Sequence, residues 1–371
     1  MDDFIPVNVP LLDGNEKQYV NECIDTGWIS SEGSFVSRFE EEFSSYVNRK
    51  YGVAVANGTA ALDIAVAALE IGKGDEVIMP SFTIISCASA VVRAGAVPVL
   101  VDSDADTWNM NVSEIEAKIR PRTKAIMVVH IYGLPVDMAP LLDIADRHGL
   151  AVIEDAAEII GQTYQGEPCG SFGQISTFSF YPNKHITTGE GGMCVTNDVR
   201  LAERCKSLRN LCFQREPRFV HKELGWNYRM TNLQAALGCA QLEHLQDHIE
   251  KKRAIGRRYT ELLKHIEGVQ LPVAKAEYAD NIYWVYGLVL GNDISFDTRD
   301  VMKKLLEKKI GTRPFFWPMH EQPVFKKMGL FQNEHYPVTE RLARKGFYIP
   351  SGLGLADEQI ERVVSAIRSI L

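Results

Sequence analysis

The sequence has no excess of positive charge: 40 lysines and arginines stand against 48 aspartates and glutamates, a formal net charge of -8. That balance gives no electrostatic footprint for nucleic acid or for an anionic membrane surface, and neither is expected as a partner. Cysteine lacks any paired pattern. The seven residues (Cys23, Cys87, Cys169, Cys194, Cys205, Cys212, Cys239) are scattered, odd in number and without a Cys-x-x-Cys pair. This argues against a disulfide framework and a zinc site, and no metal is expected. The thiols read as reduced side chains of a cytoplasmic protein. No apolar run is long enough to cross a bilayer, and the acidic opening MDDFIPVNVPLLDG lacks the basic-then-apolar order of a secretory signal. Repeats and low-complexity tracts are absent, and no GxGxxG glycine pattern follows the first apolar strand, which disfavours a dinucleotide site.

What the chain does have is length and alternation. Its 371 residues, 46% of them hydrophobic, are enough for a large core and suggest one large and one smaller domain. Short β-branched runs such as YGVAVA (51–56), AVPVLVD ending at Asp102 and KAIMVVHIYG (124–133) alternate with helical patterns such as TAALDIAVAALEIG (59–72). Near-continuous apolar strands separated by helices predict an α/β fold, with a mainly parallel sheet between helical layers. A long charged helical segment follows Thr231. Beyond it NIYWVYGLVL reads as a strand and TRDVMKKLLEKKI as a helix, as in a smaller α+β domain. The expected division is 1–250 and 251–371, with an N-terminal arm (1–35) that reaches the small domain.

Three segments carry chemistry. In VANGTAALDIAVAAL a strand ends, Asn57 and Gly58 make a turn, and Thr59 opens a helix. Unpaired N–H groups and the positive dipole end at such a start suit a phosphate, although the same residues also read as an ordinary N-cap. In AVIEDAAE, Asp155 stands where a buried strand ends, the edge at which open α/β sheets bind ligands. It can pair with a cationic ring nitrogen, or cap the next helix. In STFSFYPNKHITTGEGG, Lys184 follows an apolar strand and precedes a glycine-rich run. A lysine held there either finds an anion or has its pKa depressed, and a neutral amine can form an imine with an aldehyde. Ser179, on the preceding strand, can donate its hydroxyl to a phosphate oxygen, and the neighbouring His185 reads as a supporting or surface residue. A phosphate-binding helix start, a strand-end aspartate and a late lysine together are what gripping pyridoxal phosphate requires.

These segments, NGTAAL (57–62), GDEVIMPSFT (74–83), EDAAE (154–158), FSFYPNKHITTGEGG (178–192), GWNYRMTNLQAA (225–236) and TRPFFWPMH (312–320), resemble the DegT-type nucleotide-sugar aminotransferases, a fold-type I group. The resemblance spans nearly the whole chain. It implies that Lys184 carries pyridoxal 5'-phosphate as a Schiff base and shuttles the proton, with pyridoxamine 5'-phosphate arising in the cycle. It further implies that Asp155 keeps the ring nitrogen protonated, that Glu158 lies near the ring, and that Gly58, Thr59 and Ser179 hold the phosphate. Asn227 would reach the phosphate in a neighbouring subunit, which implies a homodimer with shared sites. Trp28, Ser30, Ser31, Arg313 and His320 would face the sugar, although Arg313 and His320 also fit a solvated loop.

Two features depart from, or stand close to the edge of, the pattern. Many relatives carry an aromatic ring where this chain has Ile84, so the face stacked on the cofactor is aliphatic. A sister group has histidine in place of the lysine and performs sugar 3-dehydration, whereas here the lysine is in place and the histidine follows it. The implied reaction moves an amino group from L-glutamate to a keto sugar. Within the family the likeness leans towards the perosamine synthases, which act on GDP-4-keto-6-deoxymannose for surface polysaccharide such as lipopolysaccharide O-antigen. The segment 209–225 differs from that group and leaves open another acceptor, such as an oxidised ulosonic acid. A sugar 3-dehydratase and a cofactor-binding regulator are the competing readings.

Overall fold

The computed structural model describes residues 4–214 and 216–371. The apolar runs become seven strands of one sheet: β1 (Tyr51–Val55), β2 (Glu76–Pro80), β3 (Val97–Val101), β4 (Thr123–Val129), β5 (Ala151–Asp155), β6 (Ile175–Ser179) and β7 (Gly192–Thr196). Their order is β1-β7-β6-β5-β4-β2-β3. Strands β6, β5, β4, β2 and β3 run parallel to one another, while β7 is antiparallel to both β1 and β6. The sheet is therefore mixed and mainly parallel, as the strand–helix alternation predicts.

Both faces are covered, which is why the strands read as continuous apolar runs rather than alternating ones. Along β4, Ala125, Met127 and Val129 join one hydrophobic cluster while Ile126 and Val128 join the other. The helices of this part are α1 (Glu16–Thr26), α2 (Ser34–Tyr46), α3 (Gly58–Ala68), α4 (Ile85–Arg93), α5 (Met138–His148), α6 (Val199–Arg209) and α7 (Asn232–Glu243). Helices α1, α2, α5 and α7 pack on one face, and α3, α4 and α6 on the other. The first face is anchored by Phe43, whose ring meets Phe178 at 4.8 Å and Phe180 at 5.0 Å, both edge-on. All three rings are buried, so truncating Phe43 to alanine costs about 3–5 kcal/mol.

The smaller part has its own core. Helix α8 (Leu245–Leu263) leads into β8 (Val269–Gln270), β9 (Tyr286–Leu290), β10 (Arg313–Pro314) and β11 (Gly346–Ile349), an antiparallel sheet in the order β8-β9-β11-β10. Helices α9 (Thr298–Glu307), α10 (Pro337–Lys345) and α11 (Asp357–Ile370) complete it. Tyr259 of α8 packs there with Tyr286, Leu305, Phe347 and Ile367. Position 250 lies inside α8, a continuous helix that carries the chain from one core to the other. The N-terminal arm divides. Ile5 pairs with Lys309 and Gly311, and Val7 accepts from Ser351, all in the smaller part. Helices α1 and α2, by contrast, pack against α7 in the large part.

Candidate active site

The parallel strands aim their carboxyl ends at one cavity, of about 670 Å³. It lies where β5 and β6 end and α3 begins, the place a doubly wound sheet offers to a ligand. Gly58, Thr59, Ile84, Asp155, Glu158, Ser179 and Lys184 all line it.

The floor is shaped by close backbone approach. Asn57 caps α3 through its side chain, accepting from Ala60 N at 2.9 Å. A Cβ placed on Gly58 would lie 2.7 Å from Ser179 Cβ, and one on Gly192 would lie 2.5 Å from the Asn57 carbonyl oxygen. Only glycine lets the start of α3 sit this close to β6 and β7. Thr59 is exposed to the cavity, and its hydroxyl lies 2.9 Å from that of Ser86. The helix start thus presents amide donors and hydroxyls to an anion.

Asp155, the last residue of β5, is 3% exposed. One of its oxygens accepts from Ala157 N at 3.1 Å and the other from the Cys87 thiol at 3.2 Å. Burial raises its pKa, and the Cys87 and Ala157 donors oppose that rise. Glu158 accepts from Tyr132 N at 3.0 Å. Burial also raises Glu158 above the usual carboxylate range; Asp155 adds to the rise, while Lys184 and the Tyr132 amide oppose it. Lys184 faces these two carboxyls. Burial lowers its pKa, and the charges of Glu158 and then Asp155 pull the other way. Its ammonium nitrogen stands 3.7 Å from the centre of the Trp284 ring. His185 turns out of the cavity: it is 1% exposed and its Nε2 lies 3.5 Å from the Ile282 carbonyl oxygen.

The remaining residues named in the sequence lie elsewhere in the chain. Asn227 is exposed, accepts from Arg229 Nε at 3.0 Å and pairs with Asn210. Trp28 is 58% exposed, and its carbonyl and that of Ser30 are held by Asn232. Ser31 lines a separate pocket of about 180 Å³ with Lys206, Arg209 and Arg229. Arg313 is exposed on β10. His320 is 2% exposed and bonded to Glu340 at 3.0 Å, and it does not line the cavity.

Three contributors had no signal in the sequence. Cys87 counted there only as one more thiol, yet it bonds Asp155. Trp284 sat inside a strand-like run, NIYWVY. Thr177 lines the cavity with its hydroxyl buried and, among the described residues, unpartnered. A cavity with an anion-binding helix start at one end, a buried carboxylate at another and an amine between them fits pyridoxal phosphate, whose phosphate, ring nitrogen and aldehyde need those three partners.

Comparison with known proteins agrees with that chemistry. The chain is 43% identical over 367 residues to the GDP-perosamine synthase of Caulobacter vibrioides, covering 99% of this chain and 98% of the other. It is 42% identical over 364 residues to that of Escherichia coli O157:H7, with 98% of each chain covered. Among solved structures, S. venezuelae DesV in complex with a ketimine intermediate superposes with a TM-score of 0.89 at 33% identity, over 96% of this chain and 94% of that one. The profile described as the DegT/DnrJ/EryC1/StrS aminotransferase family matches residues 10–368, and the chain belongs to that family of pyridoxal-phosphate-dependent sugar aminotransferases.

Proposed function

We propose that this enzyme transfers the amino group of L-glutamate to a nucleotide-linked 4-keto-6-deoxy sugar, with GDP-4-keto-6-deoxymannose as the leading acceptor. L-glutamate and the keto sugar go in; 2-oxoglutarate and the amino sugar come out. The observation that carries the transamination is the placement of the Lys184 amine in one cavity with buried Asp155 and Glu158 and the α3 helix start. The GDP-perosamine synthases that match nearly end to end at 39–43% identity support the choice of sugar. The place proposed for it is amino-sugar synthesis for a surface polysaccharide, in the cytoplasm, where nucleotide sugars are made. Among the described residues no helix is long and apolar enough to cross a membrane.

Bound pyridoxal phosphate supplies the electron sink that lets a carbon next to nitrogen lose and regain a proton. The chain's own residues do the rest. Gly58, Thr59 and Ser179 receive the phosphate on the N–H groups and hydroxyls around the start of α3. Asp155 would pair with the ring nitrogen and favour a positive charge there, and that charge would keep the carboxyl ionised against its burial. Lys184 would hold the cofactor through its amine and, when free, would take the proton from the Cα of glutamate and return one to the sugar carbon. A lysine whose burial lowers its pKa is suited to this, because it must be neutral in part of the cycle. The outward turn of His185 supports Lys184, not its neighbour, as the acting residue. Asn227, exposed here, is assigned to the phosphate of a second copy's site, so the working unit is a homodimer. Trp28, Ser30, Ser31, Arg313 and His320 are proposed to shape the sugar site of that dimer.

The test is visible absorbance of the purified protein with cofactor, before and after L-glutamate. An imine band that glutamate removes, and that Lys184→Ala never shows, is the expected result. Loss of lysine lowers turnover on the order of 10²- to 10⁴-fold. Keto sugars are then ranked by how fast each restores the band. Restoration by an oxidised ulosonic acid but not by the GDP sugar would replace the acceptor, and a wild-type protein without the band would remove Lys184 from its role.

A further inference from the structure

The peptides around Lys184 are held from outside the loop at three places. Asn8 Nδ2 of the N-terminal arm donates to the Pro182 carbonyl at 2.9 Å. Trp284 Nε1, just before β9, donates to the Asn183 carbonyl at 2.8 Å. His248 Nδ1 of α8 lies 3.0 Å from the His185 carbonyl oxygen. Of the three, Trp284 does more than hold backbone, because its ring is also the surface on which the Lys184 ammonium rests, 3.7 Å from the ring centre. Trp284 is itself fixed. It is 5% exposed, its ring packs against Tyr132 at 5.8 Å, and its carbonyl accepts from the buried Lys252 Nζ at 2.9 Å. That same Nζ reaches the Ser351 carbonyl at 2.5 Å.

We propose that Trp284 is a positioning residue for Lys184: its indole N–H sets the peptide that carries the lysine, and its ring face receives the ammonium whenever the amine is not joined to the cofactor. A freed lysine in a buried cavity needs a stabilising surface, and the electron-rich face of an indole offers one without a counter-charge that would hold the proton permanently. A carboxylate in the same place would bind the ammonium more tightly and make proton delivery harder. The ring also keeps the four-carbon stem from wandering, so the nitrogen stays within reach of the reacting carbon through both halves of the cycle. The inference rests on Lys184 being the cofactor-bearing lysine.

Around the amine, Asp155, Glu158 and Cys87 act on its charge, and His185 lies beside it. Tyr181, Glu190 and Tyr348 line the same cavity. These groups are common to all the variants below, and of the chain's five tryptophans only Trp284 lines the cavity, so a change in the lysine's titration reports on position 284.

The experiment follows the reactivity of Lys184 towards acetic anhydride in the cofactor-free chain as a function of pH, read by peptide mass spectrometry. Wild type is compared with Trp284→Phe, Trp284→Leu and protein in which tryptophan is replaced by a ring-fluorinated analogue. The fluorinated ring keeps its shape and its N–H but loses negative charge from its face, so it opens no cavity and should fold. The apparent pKa of Lys184 is expected to fall by about half to one unit in the fluorinated and leucine proteins, and to stay close to wild type with phenylalanine. Imine formation with pyridoxal phosphate should slow several-fold in the leucine variant. Phenylalanine, which keeps the face and loses the bond to Asn183, should fall between. An unchanged or raised pKa in the fluorinated protein overturns the proposal, whatever the leucine variant does. A wild-type chain that forms no imine band removes the role of Lys184 instead, and the pKa series still decides whether the ring holds the amine.

Discussion

The loop around Lys184 and the loop around Leu224 are both irregular, and both mix charged with apolar residues. Their surroundings are opposite. Next to Lys184, His185, Ile186, Thr187 and Thr188 are all buried, and the carbonyls nearby are held by Asn8, Trp284 and His248. In the second loop Phe219 is 79% exposed, Val220 54% and Leu224 93%. A protein does not usually turn a run of apolar side chains to water unless something meets them. The first loop is packed within one chain and holds the lysine to which the proposed chemistry is assigned. The second presents apolar side chains to solvent in this chain, and it belongs to the segment 209–225, on which the expectation of another acceptor rests. The two loops are therefore built on different principles: one is packed by several elements of the same chain, and the other is turned to solvent.

The sharpest way to test the first half of that contrast is Asp155→Asn. It keeps the shape and removes the charge assigned to the ring nitrogen; its one oxygen can still accept from Ala157 N, and its amide NH2 then faces the Cys87 sulfur, a weak acceptor. Turnover should fall on the order of 100-fold or more, with the protein still folded by circular dichroism. A loss of only a few-fold would mean that the buried carboxylate is structural.

Lys252 offers a slower lever on the same loop, through stability. Burial pushes it down to about 7 from 10.5. Its folded-state pKa lies below the unfolded one, so the unfolded chain binds more protons between those values and stability rises with pH across that window. The two carbonyls that accept from Nζ favour the charged form and reduce the effect. A gain of about 1–2 kcal/mol in urea unfolding between about pH 7 and about pH 9 is expected from this residue. Lys252→Met should lack that gain, and equal slopes for the two proteins would show that Lys252 stays charged throughout.

Cys87→Ala removes the thiol donor to Asp155. It should cost about 1–2 kcal/mol of stability, from the lost hydrogen bond and a small cavity, and Cys87→Ser should recover part of it. Because the thiol favours the ionised carboxyl, the alanine variant should also bind the cofactor more weakly as pH falls. Equal affinities in the two variants at every pH would separate Cys87 from the site.

The sequence made the frame of this molecule readable because its signals are local. Continuous β-branched runs announce strands buried on both faces, and an asparagine–glycine turn before TAALDIAVAA announces a capped helix start. Asp155 and Lys184 stand out because each lies where such a run ends; with Gly58, Thr59 and Ser179, and with Ile84 and Glu158 that only the family resemblance named, they line one cavity. What stayed hidden depends on distance. Trp284 meets the Asn183 carbonyl across 101 positions, and Cys87 meets Asp155 across 68, pairings that no period or spacing encodes. The boundary near residue 250 was hard to place for another reason: α8 packs one end in each core, so no turn or linker composition marks the passage.

The smallest expected effect tests the other half of the contrast. Leu224, at 93% exposure, makes almost no contact that folding of one chain would lose, so Leu224→Ser should leave the intrinsic stability within about 0.5 kcal/mol of wild type. If the loop is covered by a second copy, the cost appears only where association does. The unfolding midpoint of wild type would then rise with protein concentration, the serine variant would show a weaker rise, and sedimentation would find its dimer dissociating at higher concentration. Identical concentration dependence in the two proteins would leave Leu224 outside any such contact. Its apolar face would then have to be explained by the acceptor, and screening keto sugars against Leu224→Ser would become the more informative measurement.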